Sequence, residues 1–304
     1  MNENFSHQMA DQIDKNFSKV NTILSLYLKN PNVKNIHDIR KSIRRAESAY
    51  LILPKKYRKK KQIRYYIDQS KTFFKINSQI RDYDIYLQKI ENFNKTYNVK
   101  NDARTDNKDK TKKPSFANGD NYSSNNSKII SQIKHYRESK LKKATKAAEK
   151  LKDIKCPQIK QDIQKIQTRI NRRFKKVTKT FTNEIKKNLP VVINDETKVK
   201  ELHMLRKDCK MLRYVLELRS NDTKKDSGSK EDDLTKSITE LEDLQDFLGE
   251  IHDCDEILSF LKKFKNFPET KLIINKESKN RKDLYKKFVD KYQSSIQDLN
   301  FITR

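Results

Sequence analysis

Apolar residues recur along most of this chain at intervals of three and four. That spacing gathers them on one face of a helix turning about 100° per residue. The run Ile36, Ile39, Ile43, Ala46 shows it, with charged residues filling the gaps. Read this way, the chain predicts eight helices, at about 3–29, 33–53, 57–93, 128–153, 159–188, 196–219, 232–265 and 270–298. Pro31, Pro54, Pro157, Pro190 and Pro268 fall between these patterns. That is where proline belongs in a helical protein, because it removes a donor and clashes inside a helix. Residues 95–127, which include Pro114, are rich in Asn, Asp, Lys and Ser and carry no period, so they read as a disordered insertion. The shorter polar run 220–233 reads as a flexible connection.

Two of the helical segments repeat each other. The first reads IHDIRKSIRR from Ile36 to Arg45, and the second reads LHMLRKDCKM from Leu202 to Met211. Their histidines, His37 and His203, are 166 residues apart, and Arg40, Lys41 and Arg44 align with Arg206, Lys207 and Lys210. Each segment is followed by a long amphipathic pattern with a related tetrad, Arg81-Asp82-Tyr83-Asp84 and His252-Asp253-Cys254-Asp255. Duplication of a four-helix unit explains both matches in one order. The expected architecture is therefore all-α, two pseudo-symmetric four-helix bundles, with the first repeat at 1–153 and the second at 154–304.

At 100° per residue, His203, Arg206, Lys207, Lys210 and Arg213 fall within an arc of roughly 120°. Leu202, Leu205, Cys209, Leu212 and Leu216 occupy the adjoining arc. The earlier copy places His37, Arg40, Lys41 and Arg44 beside Ile36, Ile39, Ile43 and Ala46 in the same way. Like charges at these spacings repel and cost helix stability, and the cost recurs at matching positions, which points to use. Arg offers a planar fork of donors matched to phosphate oxygens, and Lys a compact charge. A histidine among such neighbours is discouraged from protonating, and a bound polyanion would reverse that.

Composition narrows the partner. The 304 residues include 69 Lys+Arg against 41 Asp+Glu, a formal net charge of +28. A polyanion or an anionic surface is implied: nucleic acid, a phosphate polymer or acidic lipid. Only three glycines are present, which argues against Gly-turn nucleotide folds, sandwiches and barrels. Leu, Ile, Val and Phe make up about a quarter of the chain, above the roughly 20% of disordered sequences. No stretch approaches the roughly 20 apolar residues that span a bilayer, and Met1 to Gln12 lacks the pattern of a signal peptide. Cys156, Cys209 and Cys254 are odd in number and form no CxxC pair, which fits structural thiols in a reducing cytoplasm.

The pattern HxxRxxxRR followed by RDxD, then HxxRxxxKxxRY followed by LQDxLGxxHDxD, resembles the CHAD domain, the conserved histidine α-helical domain. The segments that carry it are His37–Arg45, Arg81–Asp84, His203–Tyr214 and Leu244–Asp255, spread over nearly the whole chain. The resemblance implies two pseudo-symmetric four-helix bundles around a basic central cavity. It also implies binding of inorganic polyphosphate, association with polyphosphate granules and no catalytic activity. The implied binding residues are His37, Arg40, Arg44 and Arg45 with His203, Arg206, Lys210 and Arg213, and the two stripes add Lys41 and Lys207. Two positions depart from the family: Glu47 and Met211 stand where it usually carries cations, which bears on binding strength.

The paired carboxylates allow another chemistry. His252-Asp253 is similar to motifs of metal-dependent phosphohydrolases, but its counterpart begins with Arg81, so the shared feature is the acids. Asp82, Asp84, Asp253 and Asp255 are expected to pair with Arg or Lys and, with Arg81 and His252, to orient the cationic stripes. Neither a metal nor a cofactor is expected, since no His/Cys cluster has ligand spacing. Arg169, Arg173 and Lys176 edge the apolar stripe of the fifth helix and are second-rank candidates for the same surface. The dense run from Lys55 to Arg64 reads as a solvated helix start, and Tyr65, Tyr66, Phe73 and Phe74 as core aromatics. Nonspecific nucleic-acid binding is the rival partner, because a chain this basic attracts any polyanion at low salt. An adaptor that recruits other proteins to granules is a third reading.

Overall fold

A computed structural model describes residues 3–105, 119–159, 163–220, 230–264 and 268–293. Among them the regular elements are all helical: α1 Glu3–Lys29, α2 Val33–Ile52, α3 Lys55–Arg58, α4 Lys61–Thr105, α5 Gly119–Lys152, α6 Ile163–Asn194, α7 Val199–Ser220, α8 Lys230–Leu261 with a 3-10 turn Lys262–Phe264, and α9 Pro268–Tyr292. In the first half α2 packs against α1 and α4, and α4 against α5; in the second α7 packs against α6 and α8, and α8 against α9. The halves meet where α2 crosses α7 and where α4 meets α8.

Apolar faces explain these neighbours. One core joins Phe17, Leu24 and Tyr27 of α1, Ile36, Ile39 and Ile43 of α2, Tyr66 and Phe73 of α4, and Ala144 and Ala148 of α5. It also takes in Ile170 and Phe174 of α6 and Val215 and Leu218 of α7. A second core gathers Ile185 and Leu189 from the later turns of α6 with Leu202, Leu205 and Cys209 of α7, Leu244 and Leu248 of α8, and Phe288 of α9. Helix α6 therefore serves both cores and ties the halves together. A third cluster, with Tyr86, Ile90, Phe93, Ile133, Ile257 and Phe260, closes the α4–α8 seam. Burial of Val, Leu, Ile or Phe contributes about 1.5–3 kcal/mol per side chain, so these seams dominate the stability.

Local chemistry sets the helix ends near the site. Asn32 caps α2 by accepting from the Asn35 amide at 2.8 Å, and the Asn35 side chain donates to Asn30 O at 2.7 Å. Arg58 donates from Nε to Leu53 O, and Arg173 of α6 from Nε to Leu51 O, so two cations hold the last carbonyls of α2.

The elements differ from the periodicity at four places. Residues 95–105 continue α4 and residues 119–127 belong to α5, so the expected disordered insertion is helical at both ends; 106–118 lie outside the described residues. Extending a formed helix adds one hydrogen bond per residue ordered, and Phe93 and Ile129 anchor both sides in a shared core. Pro190 lies inside α6 rather than after it. Buried Leu189, Val192 and Ile193 hold that end, and the Tyr285 hydroxyl donates to the Val192 and Ile193 carbonyls at 2.8 and 2.9 Å. The stretch expected as one helix from 57 is split into α3 and α4. Of the 220–233 connection, 230–233 begin α8 and 221–229 lie outside the described residues. Among the described residues, no helix is long and apolar enough to cross a membrane.

Candidate functional site

The crossing of α2 and α7 brings the two cationic stripes together. Arg40 and Arg44 from α2 lie close enough to Arg206 and Lys210 of α7 for each group to feel the other's charge. The arrangement follows from the helix period. Arg40, Arg44, Arg206 and Lys210 stand next to the apolar arcs that seal the cores, so they sit half-buried at the seam. His37, His203 and Lys207 point further out and are exposed, while Lys41 is half-buried.

Each arginine rests on a built platform. The guanidinium of Arg44 lies 4.2 Å from the Phe74 ring centroid, and that of Arg40 lies 5.5 Å from it. Arg206 lies instead against α8 at Gly249, where an added Cβ would stand 3.4 Å from its Nε. One nitrogen of each matched arginine, Arg40 Nη1 and Arg206 Nε, is buried with no hydrogen-bond partner among the described residues.

The tetrads divide their work. Asp84 accepts from Arg137 of α5 at 2.6 Å, and Asp255 accepts from Arg281 of α9 at 2.8 Å. These matched pairs pin the α4–α5 and α8–α9 hairpins, as expected for acids that hold helix geometry. Asp82 and Asp253 depart from the expected pairing: neither forms a hydrogen bond or an ion pair within 4 Å among the described residues. They stand behind the arginines, near enough to feel Arg40 and Arg206, and they repel each other and Glu256. Burial pushes the Asp82 carboxyl up to about 6 despite Arg40, and Glu256 and Asp253 push the same way. Burial likewise raises Asp253 against the pull of Arg206 and Arg81.

The first residue of each tetrad joins the cationic face, a role the sequence pattern did not reveal. Arg81 lies beside His37 and Arg40, and the ring of His252 lies 4.7 Å from that of His203. Burial, then Arg206, His203 and Lys210, hold His252 down to about 3. His203 is lowered by its partial burial and then by Arg206, Lys207, Arg44 and Lys210. His37 is lowered by partial burial, opposed by Asp38 and helped by Lys41, Arg81 and Arg40. The histidines are therefore neutral donors and acceptors at neutral pH. Lys210 is displaced as well: burial, then Arg206, Arg44, Arg40 and Arg213, draw its ammonium down to about 7.

Arg45 and Arg213 are already paired. Arg45 donates from Nε and Nη2 to Glu217 Oε2 at 2.9 and 2.7 Å, and Arg213 bonds Glu242 and lies 3.6 Å from Glu217. Arg45 is 100° further round α2 than Arg44, so it faces a separate cavity lined by Lys15, Lys19 and Tyr214. The departures fit this picture. Glu47 is buried and accepts from Arg44 Nη1 at 3.1 Å, and Met211 is buried. Arg173 is occupied at the end of α2, while Arg169 and Lys176 stay exposed on α6. Among the described residues, no three or more His, Cys, Asp or Glu side chains are grouped to hold a metal ion. The cysteines are free, Cys209 and Cys254 buried and Cys156 half-buried.

Comparison with known proteins agrees with the geometry. The family model of the CHAD domain matches residues 11–262. The chain belongs to the CHAD domain family. Among solved structures it resembles the CHAD domain from the plant Ricinus communis, with a TM-score of 0.54 and 12% identity over 98% of this chain and 90% of that one. At that identity the likeness concerns the fold, which is the all-helical CHAD fold. No curated protein matches.

Proposed function

We propose that this CHAD domain binds inorganic polyphosphate along the α2–α7 crossing and performs no chemistry on it. The observation that carries the reading is the pair of buried, unpartnered guanidinium nitrogens, Arg40 Nη1 and Arg206 Nε, at matched positions of the two halves. Unpaired buried donors cost stability, about 1–3 kcal/mol each and more when charged, and anionic oxygens supply what they lack. Arg44 and Lys210 complete the central grip, and His37, Lys41, His203 and Lys207 extend it toward solvent. A linear phosphate chain presents one anionic unit after another, which suits a stripe of cations better than a single pocket would. Arg45 joins the binding set only by exchanging Glu217 for phosphate, and Arg213 only by exchanging Glu242. Cytoplasmic residence at polyphosphate granules would follow from such binding.

Affinity should come largely from released counterions. Four central cations predict a log–log slope against salt of roughly −2.8 to −3.6, taking −0.7 to −0.9 per neutralised phosphate. Titration with polyphosphate at several salt concentrations, with single-stranded nucleic acid as competitor, tests this. At physiological salt, polyphosphate is expected to displace nucleic acid at far lower phosphate equivalents. Equal competition would make the site a general polyanion binder. Phosphate release that needs a divalent metal and disappears in Asp253→Asn would make the protein a hydrolase.

Phe74 should matter without touching the ligand. Replacing it with Leu keeps much of the apolar volume but removes the π face beneath Arg40 and Arg44. Cation–π contacts are worth about 0.5–2 kcal/mol. Phe74→Leu is therefore expected to weaken polyphosphate binding several-fold while helicity stays unchanged, as read by calorimetry and circular dichroism.

A further inference from the structure

We propose that the cavity bounded by α1, α2 and α7 is a second anion site, built for the terminal phosphate of a linear polyphosphate, and that Glu217 holds the place of that phosphate as an internal carboxylate. The proposal rests on the polyphosphate reading and adds where a chain ends.

The cationic edge of α7 leads into this cavity. Lys210, Arg213 and Glu217 follow one another at spacings of three and four, so an anion tracking the edge meets a carboxylate where the stripe stops. At the repeat offset of 166 residues Glu217 matches Leu51, so the acid at this position belongs to the α7 copy alone. Beside it lies a cavity of about 340 Å³, lined by Lys15, Asn16 and Lys19 of α1, Arg45 of α2, and Tyr214 and Glu217 of α7. Small-molecule sites run to roughly 300–1,000 Å³, so this one has room for the end of a chain and not for its length.

The groups around the cavity suit an anion of higher charge than Glu217 supplies. Arg45 sends Nε and Nη2 to the same oxygen, Glu217 Oε2, at 2.9 and 2.7 Å, while Glu217 Oε1 lies 3.6 Å from Arg213 Nη1. The parallel grip on two oxygens that a guanidinium makes with phosphate is therefore not made here. Lys15 and Lys19 are exposed, and neither side chain has a hydrogen bond or an ion pair among the described residues. Asp14, on the same helix, turns its carboxylate to the Ile159 amide instead, at 2.9 and 3.1 Å. The buried Tyr214 ring backs both arginines, 5.7 Å from the Arg45 guanidinium and 4.7 Å from that of Arg213. Lys15, Lys19 and Arg45 thus face a single acid. A terminal phosphate offers three free oxygens and close to two charges at neutral pH, against two oxygens and one charge in an internal unit. The terminus competes with Glu217 for Arg45 where an internal unit does not.

The test isolates the cavity by working in the full chain carrying Arg40→Ala and Arg206→Ala, which disables the crossing. Calorimetry with tripolyphosphate, a short chain with two ends, and with trimetaphosphate, a ring with none, reads the site. Tripolyphosphate is expected to bind, and trimetaphosphate about tenfold more weakly or not at all, because the ring lacks the terminal group that Arg45 grips. Adding Lys15→Gln and Lys19→Gln should weaken tripolyphosphate by about tenfold or more, the equivalent of one charged hydrogen bond, with the melting temperature unchanged. Adding Glu217→Gln instead, which keeps the shape and removes the competing charge, should strengthen it several-fold. A merely structural Glu217 would not give that gain. No tripolyphosphate binding in the background protein, equal binding of ring and chain, indifference to the two lysines, or a loss with Glu217→Gln each overturns the proposal. Any of these, with long-chain polyphosphate still bound by the wild type, leaves the crossing as the binding site. A wild type that fails to bind long chains, while tripolyphosphate responds as expected, overturns the polyphosphate reading and keeps the cavity.

Discussion

Arg40→Ala and Arg206→Ala together are expected to lower polyphosphate affinity by two orders of magnitude or more without lowering the melting temperature. Hydrogen bonds to charged groups contribute about 1.5–3 kcal/mol each, so two lost arginines remove roughly 3–6 kcal/mol. The unchanged melting temperature is the distinctive part. Both guanidinium groups are half-buried, each leaves one nitrogen unpartnered, and each lies against other cations. Burial and like charge draw Arg40 down to about 10, which marks a charge held where the fold does not favour it. Removing such groups relieves the mutual repulsion of the cations, and Asp82 and Asp253, which lose the pull of Arg40 and Arg206, can shed their charge by taking up protons. Isothermal calorimetry and thermal melting measured on the same samples separate the two effects. Intact binding would sink the functional assignment, while a melt many degrees lower would show that the arginines serve the fold instead.

The opposite profile is expected of Asp84→Ala. Its carboxylate is the partner of Arg137 at 2.6 Å, with side-chain exposures of 9% and 21%, so the substitution leaves a shielded guanidinium without its acid. Breaking a buried pair from one side costs about 3–5 kcal/mol, and the partial exposure of Arg137 places this case at the lower end. About 3 kcal/mol should lower the melting temperature by roughly 6–12 °C in a chain of this size. Asp255→Ala should cost less, because Arg281 keeps its bond to the Glu196 carbonyl at 2.7 Å and its proximity to the Glu196 carboxylate. Replacing Asp84 and Arg137 together by Leu and Met should recover much of the loss, since a well-packed apolar pair can substitute for a buried ion pair. Thermal melts of the three variants decide this. Equal losses at Asp84 and Asp255 would mean that Glu196 contributes nothing.

Much of the site is legible in the sequence. A period of 3.6 places His37, Arg40 and Arg44 on one edge of α2, and His203, Arg206 and Lys210 on the same edge of α7, whatever the helices pack against. The matched tetrads announced Asp84 and Asp255 as structural acids, and each pairs with an arginine from the following helix. Residues 95–105 depart from the sequence pattern because polar composition lowers local helix preference, whereas a helix already formed and anchored by Phe93 extends at little cost. Pro190 departs from it too: the ring costs one hydrogen bond, and the buried residues around it hold the turn. Arg45 looked like one more phosphate ligand because its acid, Glu217, lies 172 residues away.

The sequence by itself determined the all-helical fold and which side of each helix is cationic, because these depend only on spacing along one helix. Only the tertiary structure decided what those cations do to one another. Packing α2 across α7 brings Arg40, Arg44, Arg206 and Lys210 into one partly buried cluster, neutralises Arg45 and Arg213 with Glu217, and sets Arg81 and His252 beside the stripes. Charge on a helix face is a matter of period. Charge crowded out of water, with its proton affinity shifted, is a matter of distance between segments far apart in the chain.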